Sequence, residues 1–122
     1  MPHQEIVQEF SQRIGVGHIQ QGRSGPVTFE LQGLGTLTLE PDADGHELLM
    51  TLALPLPPHD SEKLLAALEM CHPDRIRPFP LACGLHRDAL LLVSRRRLAG
   101  LSAAEVENQA IFLLGCAKEL GT

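Results

Sequence analysis

The stretch HELLMTLAL, residues 46–54, constrains the fold more than any other part of the chain. Four large apolar side chains occupy its alternate positions: Leu48, Met50, Leu52 and Leu54. Leu49 and Ala53 stand on the intervening positions, which point to the opposite face of a strand. The run therefore predicts a strand that is apolar on both faces, as is typical of a strand covered on both sides. Such a strand requires neighbouring strands and covering helices from the rest of the chain.

Four other short runs predict the neighbouring strands. They are VTFEL (27–31), TLTLE (36–40), FPLACGL (79–85) and ALLLVS (89–94). The first two alternate apolar and polar residues on either side of QGLG, which predicts an antiparallel hairpin. The last two are joined by HRD. PDADG, at 41–45, predicts the turn before the strand at 46–54, because Pro and Asp initiate turns and Gly45 accepts a positive φ.

Two helices are predicted ahead of the last pair of strands. Between residues 3 and 14, one stripe of a helix collects the apolar side chains Ile6, Val7, Phe10 and Ile14. Asp60 or Ser61 is a candidate N-cap for a second helix through EKLLAALEMC. With a final helix, the order becomes αβββαββα, which predicts a single α+β domain over residues 1–122, an antiparallel sheet packed by helices.

The final helix has the clearest start signal, since Ser102 and Glu105 form a capping box. The helix runs to about Leu120, and one face carries Val106, Ala110, Leu113, Ala117 and Leu120. Ile111 and Phe112 lie well off that face, and one sheet cannot bury all of these side chains. Extra apolar surface on a small domain suggests contact with a partner.

Composition and charge oppose several classes of function. The formal net charge is -5, with four Phe and no Trp or Tyr, so a nucleic-acid surface would lack positive potential and most of the rings on which bases stack. The same charge opposes binding to anionic membranes, and no run is long and apolar enough for a membrane span. The start of the chain has no signal-peptide pattern, and three separated cysteines favour reduced thiols. These features predict a cytoplasmic protein.

A second class of function, an enzyme or a metal- or small-ligand-binding domain, depends on a few side chains. Cys71, His72, Cys83 and His86 are ligand types that zinc accepts, but the first pair is adjacent and lacks the usual spacer. Cys116, within LLGCA, is predicted to be buried and unreactive. No motif for nucleotide, phosphate or metal binding is present, so we expect no cofactor. A site near Cys83 and His86 remains the alternative to a binding module.

Basic residues are concentrated towards the end of the chain. Six of the ten lie within 23 positions: Arg75, Arg77, Arg87, Arg95, Arg96 and Arg97. Three interpretations of the consecutive triplet at 95–97 stay open. It is a solvated strand end that protects a sheet edge, a surface for an acidic protein partner, or a nucleic-acid contact. The first interpretation is favoured over the second, and the net charge and the scarcity of aromatic side chains make the third the least favoured.

The chain resembles the class I chaperones of bacterial type III secretion, the CesT/SycE-like family. The resemblance covers essentially the whole chain and is carried by GTLTLE (35–40), LLMTLALPL (48–56) and PFPLACGLHRDALLLVS (78–94), followed by the final amphipathic helix. These stretches are most similar to the SycN-like branch, which pairs with a second small chaperone to hold a gatekeeper protein. FSQRIGVG departs from the Leu-rich helix and LGL turn that open many members.

The resemblance implies a cytoplasmic, non-enzymatic chaperone that keeps an extended N-terminal segment of a secreted effector or gatekeeper protein soluble and ready for secretion. It implies a homodimer, or a heterodimer with a second small chaperone, built through Leu64, Leu65, Leu68, Cys71, Phe79 and Leu81. The expected cargo-binding residues are Phe10, Val27, Phe29, Leu31, Ile111 and Phe112. Each of these is equally well interpreted as part of the chain's own core. Neither nucleic acid nor membrane is an expected partner.

Overall fold

The computed structural model describes residues 8–10, 20–21, 26–31, 33–57, 60–72 and 79–121. Its strands are β1 (Gln20–Gln21), β2 (Val27–Leu31), β3 (Gly35–Pro41), β4 (Glu47–Pro55), β5 (Ala82–His86) and β6 (Ala89–Arg97). Its helices are α1 (Ser61–Met70) and α2 (Ala103–Glu119), and residues 8–10 are also helical. The predicted α+β class and element order are confirmed. The rest of the helix predicted over 3–14 lies outside the described residues, and the two-residue strand β1 was not predicted.

One antiparallel sheet organises the described residues, with strand order β1-β2-β3-β4-β6-β5. β4 pairs with β3 through Leu39↔Met50 and with β6 through Met50↔Ser94, so it lies inside the sheet as its apolar pattern predicts. Among the described strands, β5 pairs with β6 alone and forms one edge of the sheet. At the opposite side, β1 pairs with only Val27 and Thr28 of β2.

The helices pack against one face of the sheet, the core face. The fully buried side chains of β4 on this face are Leu48, Met50, Leu52 and Leu54. They share one cluster with Ala67 and Met70 of α1 and with Val106 and Leu113 of α2. On the opposite face Leu49 and Ala53 remain half-buried. Within the described part of the chain, the predicted covering of β4 is seen on the core face, because α1 and α2 both contribute to that side.

Helix ends follow the capping rules. The side chain of Asp60 accepts a hydrogen bond from the Lys63 backbone N–H at 3.1 Å and caps α1. Ser102 Oγ accepts from the Glu105 backbone N–H at 3.2 Å, and the same hydroxyl donates to Glu105 Oε1 at 3.1 Å. These bonds confirm the predicted starts of both helices.

The β3–β4 turn is also built as its sequence predicts. Gly45 has a φ of 74°, a conformation that glycine adopts without a steric cost. Asp42 Oδ1 accepts hydrogen bonds from the backbone N–H of His46 at 2.9 Å and of Glu47 at 3.3 Å. Burial raises the pKa of Asp42, but the backbone hydrogen bonds outweigh it and hold the pKa below its ordinary value.

Candidate partner-binding surfaces

The side chains expected to bind cargo fall into two groups. Phe10, Val27 and Phe29 are buried, and the rings of Phe10 and Phe29 meet edge to face at 5.6 Å between centroids. In the free chain these three side chains support the sheet from the core and offer no contact surface themselves. Leu31 and Phe112 are half-buried, and Ile111 of α2 is 57% exposed. The accessible part of the expected set is therefore divided between the end of β2 and the outward flank of α2.

Phe112 belongs to a cluster that ties α2 to the rest of the molecule, which we call the arginine–aromatic cluster. Its ring lies 5.3 Å from that of Phe79, centroid to centroid. The guanidinium of Arg96 lies 5.1 Å from the centroid of Phe79, at a cation–π distance. Arg96 Nη2 also donates to Glu105 Oε2 at 2.8 Å. The cluster joins β6, α2 and the segment before β5, so Phe79 contacts α2 in addition to its expected place in a dimer interface.

This cluster contains a contact that the sequence does not predict, between Arg96 and Glu105. The capping box identified Glu105 as a cap, but not as the partner of Arg96. Strand alternation places Arg96 on the face of Ser94 and Leu92, towards α2, and so contained the signal. The run ALLLVS predicts a strand that ends at Ser94, whereas β6 continues to Arg97, so the predicted alternation does not reach Arg96.

The side chains expected at a dimer interface line α1 and the approach to β5. Leu65 and Leu68 of α1 are 60% and 52% exposed, while Leu64, Cys71 and Leu81 are half-buried. Leu85 of β5, which was not among the expected residues, is 55% exposed. A cavity of about 480 Å³ is lined by Leu56, Leu64 and Leu85 together with Asp60, Arg87 and Asp88. The exposed leucines of α1 thus adjoin β5, the edge strand of the described sheet.

Cys83 and His86, the alternative site, do not converge. Cys83 pairs with Leu92 on the core face and packs partly against the core, whereas His86 pairs with Ala89 on the opposite face and is exposed. Cys116 is buried, as predicted. Within the described ranges, no three His, Cys, Asp or Glu side chains are grouped to hold a metal ion. Over the same ranges, no helix is long and apolar enough to cross a membrane.

Comparison with solved structures identifies the fold. The chain superposes on the Yersinia pestis type III secretion chaperone SycH, solved with a stable fragment of YscM2, with a TM-score of 0.71, 19% identity, and coverage of 96% of this chain and 98% of that one. The HopA1–SchA chaperone–effector complex gives a TM-score of 0.69 and 17% identity over 98% and 92% of the two chains. The ExoT–SpcS complex from Pseudomonas aeruginosa gives a TM-score of 0.68 and 16% identity, over 97% of this chain and 96% of that one.

Sequence comparison identifies the family. No curated protein is significantly similar to the chain. A family model, the type III secretory system chaperone SycN, matches residues 3–113. This range includes the sheet, α1 and most of α2. It therefore contains the exposed side chains of Leu65, Leu68, Leu85 and Ile111. The chain therefore belongs to the SycN family of type III secretion chaperones.

Proposed function

We propose that the chain binds an extended N-terminal segment of a secreted effector or gatekeeper protein in the bacterial cytoplasm, keeps that segment soluble and competent for secretion, and performs no catalysis. The observation that carries the proposal is the family match over residues 3–113. The similar folds support it, since SycH was solved with a YscM2 fragment, SchA with the effector HopA1, and SpcS with ExoT.

The energetics of holding an unfolded segment require a long interface. Fixing the backbone of each bound residue costs on the order of 1–2 kcal/mol in conformational entropy. Backbone hydrogen bonds from strand addition offset part of that cost with little demand on cargo sequence. Among the described residues, β1 pairs with Val27 and Thr28, and we assign such addition to the adjoining stretch of β2, residues 29–31.

Apolar contacts would supply selectivity. Leu31, at the end of β2, and Ile111 and Phe112, on the flank of α2, are the accessible members of the expected cargo set. Phe112 is held by the ring of Phe79, so its position is defined before cargo arrives. Phe10, Val27 and Phe29 are assigned a supporting role, in which they hold the sheet beneath the bound segment.

A dimer would bury the exposed side chains of α1 and β5. Leu65, Leu68 and Leu85 are each more than half exposed, and no strand of the described residues lies beside the outer edge of β5. Unpaired edges invite association with another chain, and leucine side chains beside the edge add apolar area to that association. The partner is a second copy or a second small chaperone.

The proposal is tested by affinity purification of the tagged full chain from its source cells, with mass spectrometry and light scattering of the eluate. We expect one secreted protein, protected from proteolysis over a short N-terminal segment, on a dimer of small chaperones. Ile111→Asp should reduce its recovery, while Asn108→Asp, which adds the same charge at an exposed position on the same helix, should not. A monomer that carries only a small molecule would contradict the proposal.

A further inference from the structure

Few large apolar side chains attach α2 to the sheet. Seven residues of this helix are buried, and three of them are the alanines Ala103, Ala110 and Ala117. Val106 and Leu113 are the large aliphatic members of the set. β4, by contrast, buries four large apolar side chains completely within nine residues. Because the free energy of burial scales with apolar area, the helix of 17 residues is held less firmly per residue than the strand.

The interface between α2 and β6 also contains polar side chains without a partner. Ser94 precedes Arg96 by two residues on the core face of β6, and Gln109 follows Glu105 by one turn of α2. Since Arg96 and Glu105 are in contact, Ser94 and Gln109 lie between the same two elements. Among the described residues, the buried side-chain polar atoms that lack a hydrogen-bond partner are Ser94 Oγ and both amide atoms of Gln109. All three therefore weaken this one interface.

The other attachment of α2 is the arginine–aromatic cluster, which is partly exposed. Arg96 Nη2 lies 2.8 Å from Glu105 Oε2, and the two side chains are 31% and 42% exposed. An ion pair of this exposure contributes little to stability. Over the described part of the chain, the backbone of α2 bonds within the helix and its end turns, whereas β4 is hydrogen-bonded to β3 and to β6. Undocking of α2 therefore breaks no backbone hydrogen bond of the sheet.

The loop between β6 and α2 contains a pivot. The backbone N–H of Leu98 donates to the carbonyl oxygen of His46 at 2.9 Å, which anchors the start of the loop to the β3–β4 turn. Gly100, two residues further on, has a φ of 75°. Glycine absorbs a change in backbone angles at a lower steric cost than any other residue. The helix can therefore rotate away from the sheet while β6 stays in place.

From these observations we propose that α2 is a flap, which undocks from the sheet as a unit about Gly100 while the sheet stays folded. Undocking lets Ser94 and Gln109 recover hydrogen bonds with water, which offsets part of the lost apolar contact. It also exposes part of the core face and moves Ile111 and Phe112 relative to the sheet. The docked and undocked states thus present different apolar surfaces. The inference concerns the free chain and does not rest on the proposed function.

The alternative is that the domain unfolds in a single cooperative step, as small domains commonly do. Undocking of one helix exposes less surface than global unfolding, so its free energy depends less on urea. A helix of 17 residues is marginal in water without tertiary contacts, so the amides of α2 exchange with solvent once the helix has left the sheet. Hydrogen exchange therefore distinguishes the two modes of opening.

The test is native-state hydrogen exchange of the full, isotopically labelled chain at increasing urea concentration. We expect the amides of Ala110 and Leu113 to show an opening equilibrium constant at least about tenfold larger than those of Leu52 and Leu92. We also expect the opening of α2 to depend less steeply on urea than the opening of β4 and β6.

A variant that combines Ser94→Ala with Gln109→Met tests the cause. Its α2 amides should show an opening constant about tenfold smaller than in the unsubstituted chain, because the docked helix no longer buries unpaired polar atoms. Asn108→Met introduces the same side chain at an exposed position of the same helix and should leave the opening constant nearly unchanged.

Two results would overturn the proposal. Equal opening constants and equal urea dependence for α2 and β4 in the unsubstituted chain would show that the domain opens as one unit. Unchanged or faster exchange of α2 in the variant with Ser94→Ala and Gln109→Met would show that these side chains do not loosen the docked helix. Neither result depends on whether a secreted cargo protein is recovered.

Discussion

Gly35 begins β3 where its backbone lies close beside Ala53 of the neighbouring strand β4. A Cβ atom at this position would overlap the carbonyl oxygen of Ala53, which is part of the sheet and cannot move aside cheaply. We expect Gly35→Ala to lower the free energy of unfolding by about 1–3 kcal/mol. Gly84→Ala in β5 is the control, because nothing lies within 4 Å of its added Cβ. Urea denaturation of both variants measures the difference, and equal stabilities would contradict the close approach.

Gln109 is a second residue whose burial should affect the stability of the fold. It is fully buried on α2, and neither its Oε1 nor its Nε2 has a hydrogen-bond partner among the described residues. An unpaired buried amide costs about 1–3 kcal/mol, so Gln109→Met, which nearly conserves the volume, should raise the midpoint of thermal unfolding. Asn108→Met, at the exposed neighbouring position, should change it little. A fall in stability for Gln109→Met would reveal a polar partner.

At the scale of elements, α2 is held at its start by Arg96 as well as by its cap. A double-mutant cycle with Arg96→Met and Glu105→Gln should give a coupling energy of about 0.5–1 kcal/mol, since both side chains are partly exposed. Arg95→Met should have almost no effect on the free energy of unfolding, because its ion pair is longer and more exposed. Calorimetry of the four proteins measures the coupling. A coupling near zero would mean that the contact contributes nothing to the docking of α2.

The elements themselves were largely predictable, because their signals are local. Alternation identified β2, β3 and β4, and side-chain caps at Asp60 and Ser102 identified the helix starts. The surfaces were less predictable, because exposure depends on which elements meet. Phe29 and Ile111 are similar in hydrophobicity, yet one lies in the core and the other on the surface. The helical wheel sets Ile111 off the core face of α2, but the alternation of β2 does not tell whether Phe29 faces its own chain or a partner.

At the scale of the whole molecule, the central question is which surface forms the dimer. Two surfaces carry exposed apolar side chains that could do so. Leu65, Leu68 and Leu85 lie beside the free edge of β5, whereas Ile111, of comparable exposure, lies on α2. If the dimer forms through α1 and β5, Leu65→Ser with Leu68→Ser should convert it to monomer at micromolar concentration. Ile111→Ser should leave the dimer intact and weaken only cargo binding.

Sedimentation equilibrium, with the second small chaperone co-expressed in a parallel sample, measures this association. Circular dichroism serves as the control, because both leucines are largely exposed and their loss should leave the fold unchanged. Dissociation caused by Ile111→Ser alone would move the interface to α2 and remove that flank from the cargo surface. The expected result is that the double leucine variant loses only the dimer and that Ile111→Ser loses only cargo binding. The chain would then use α1 with β5 to bind a chaperone and α2 to bind cargo.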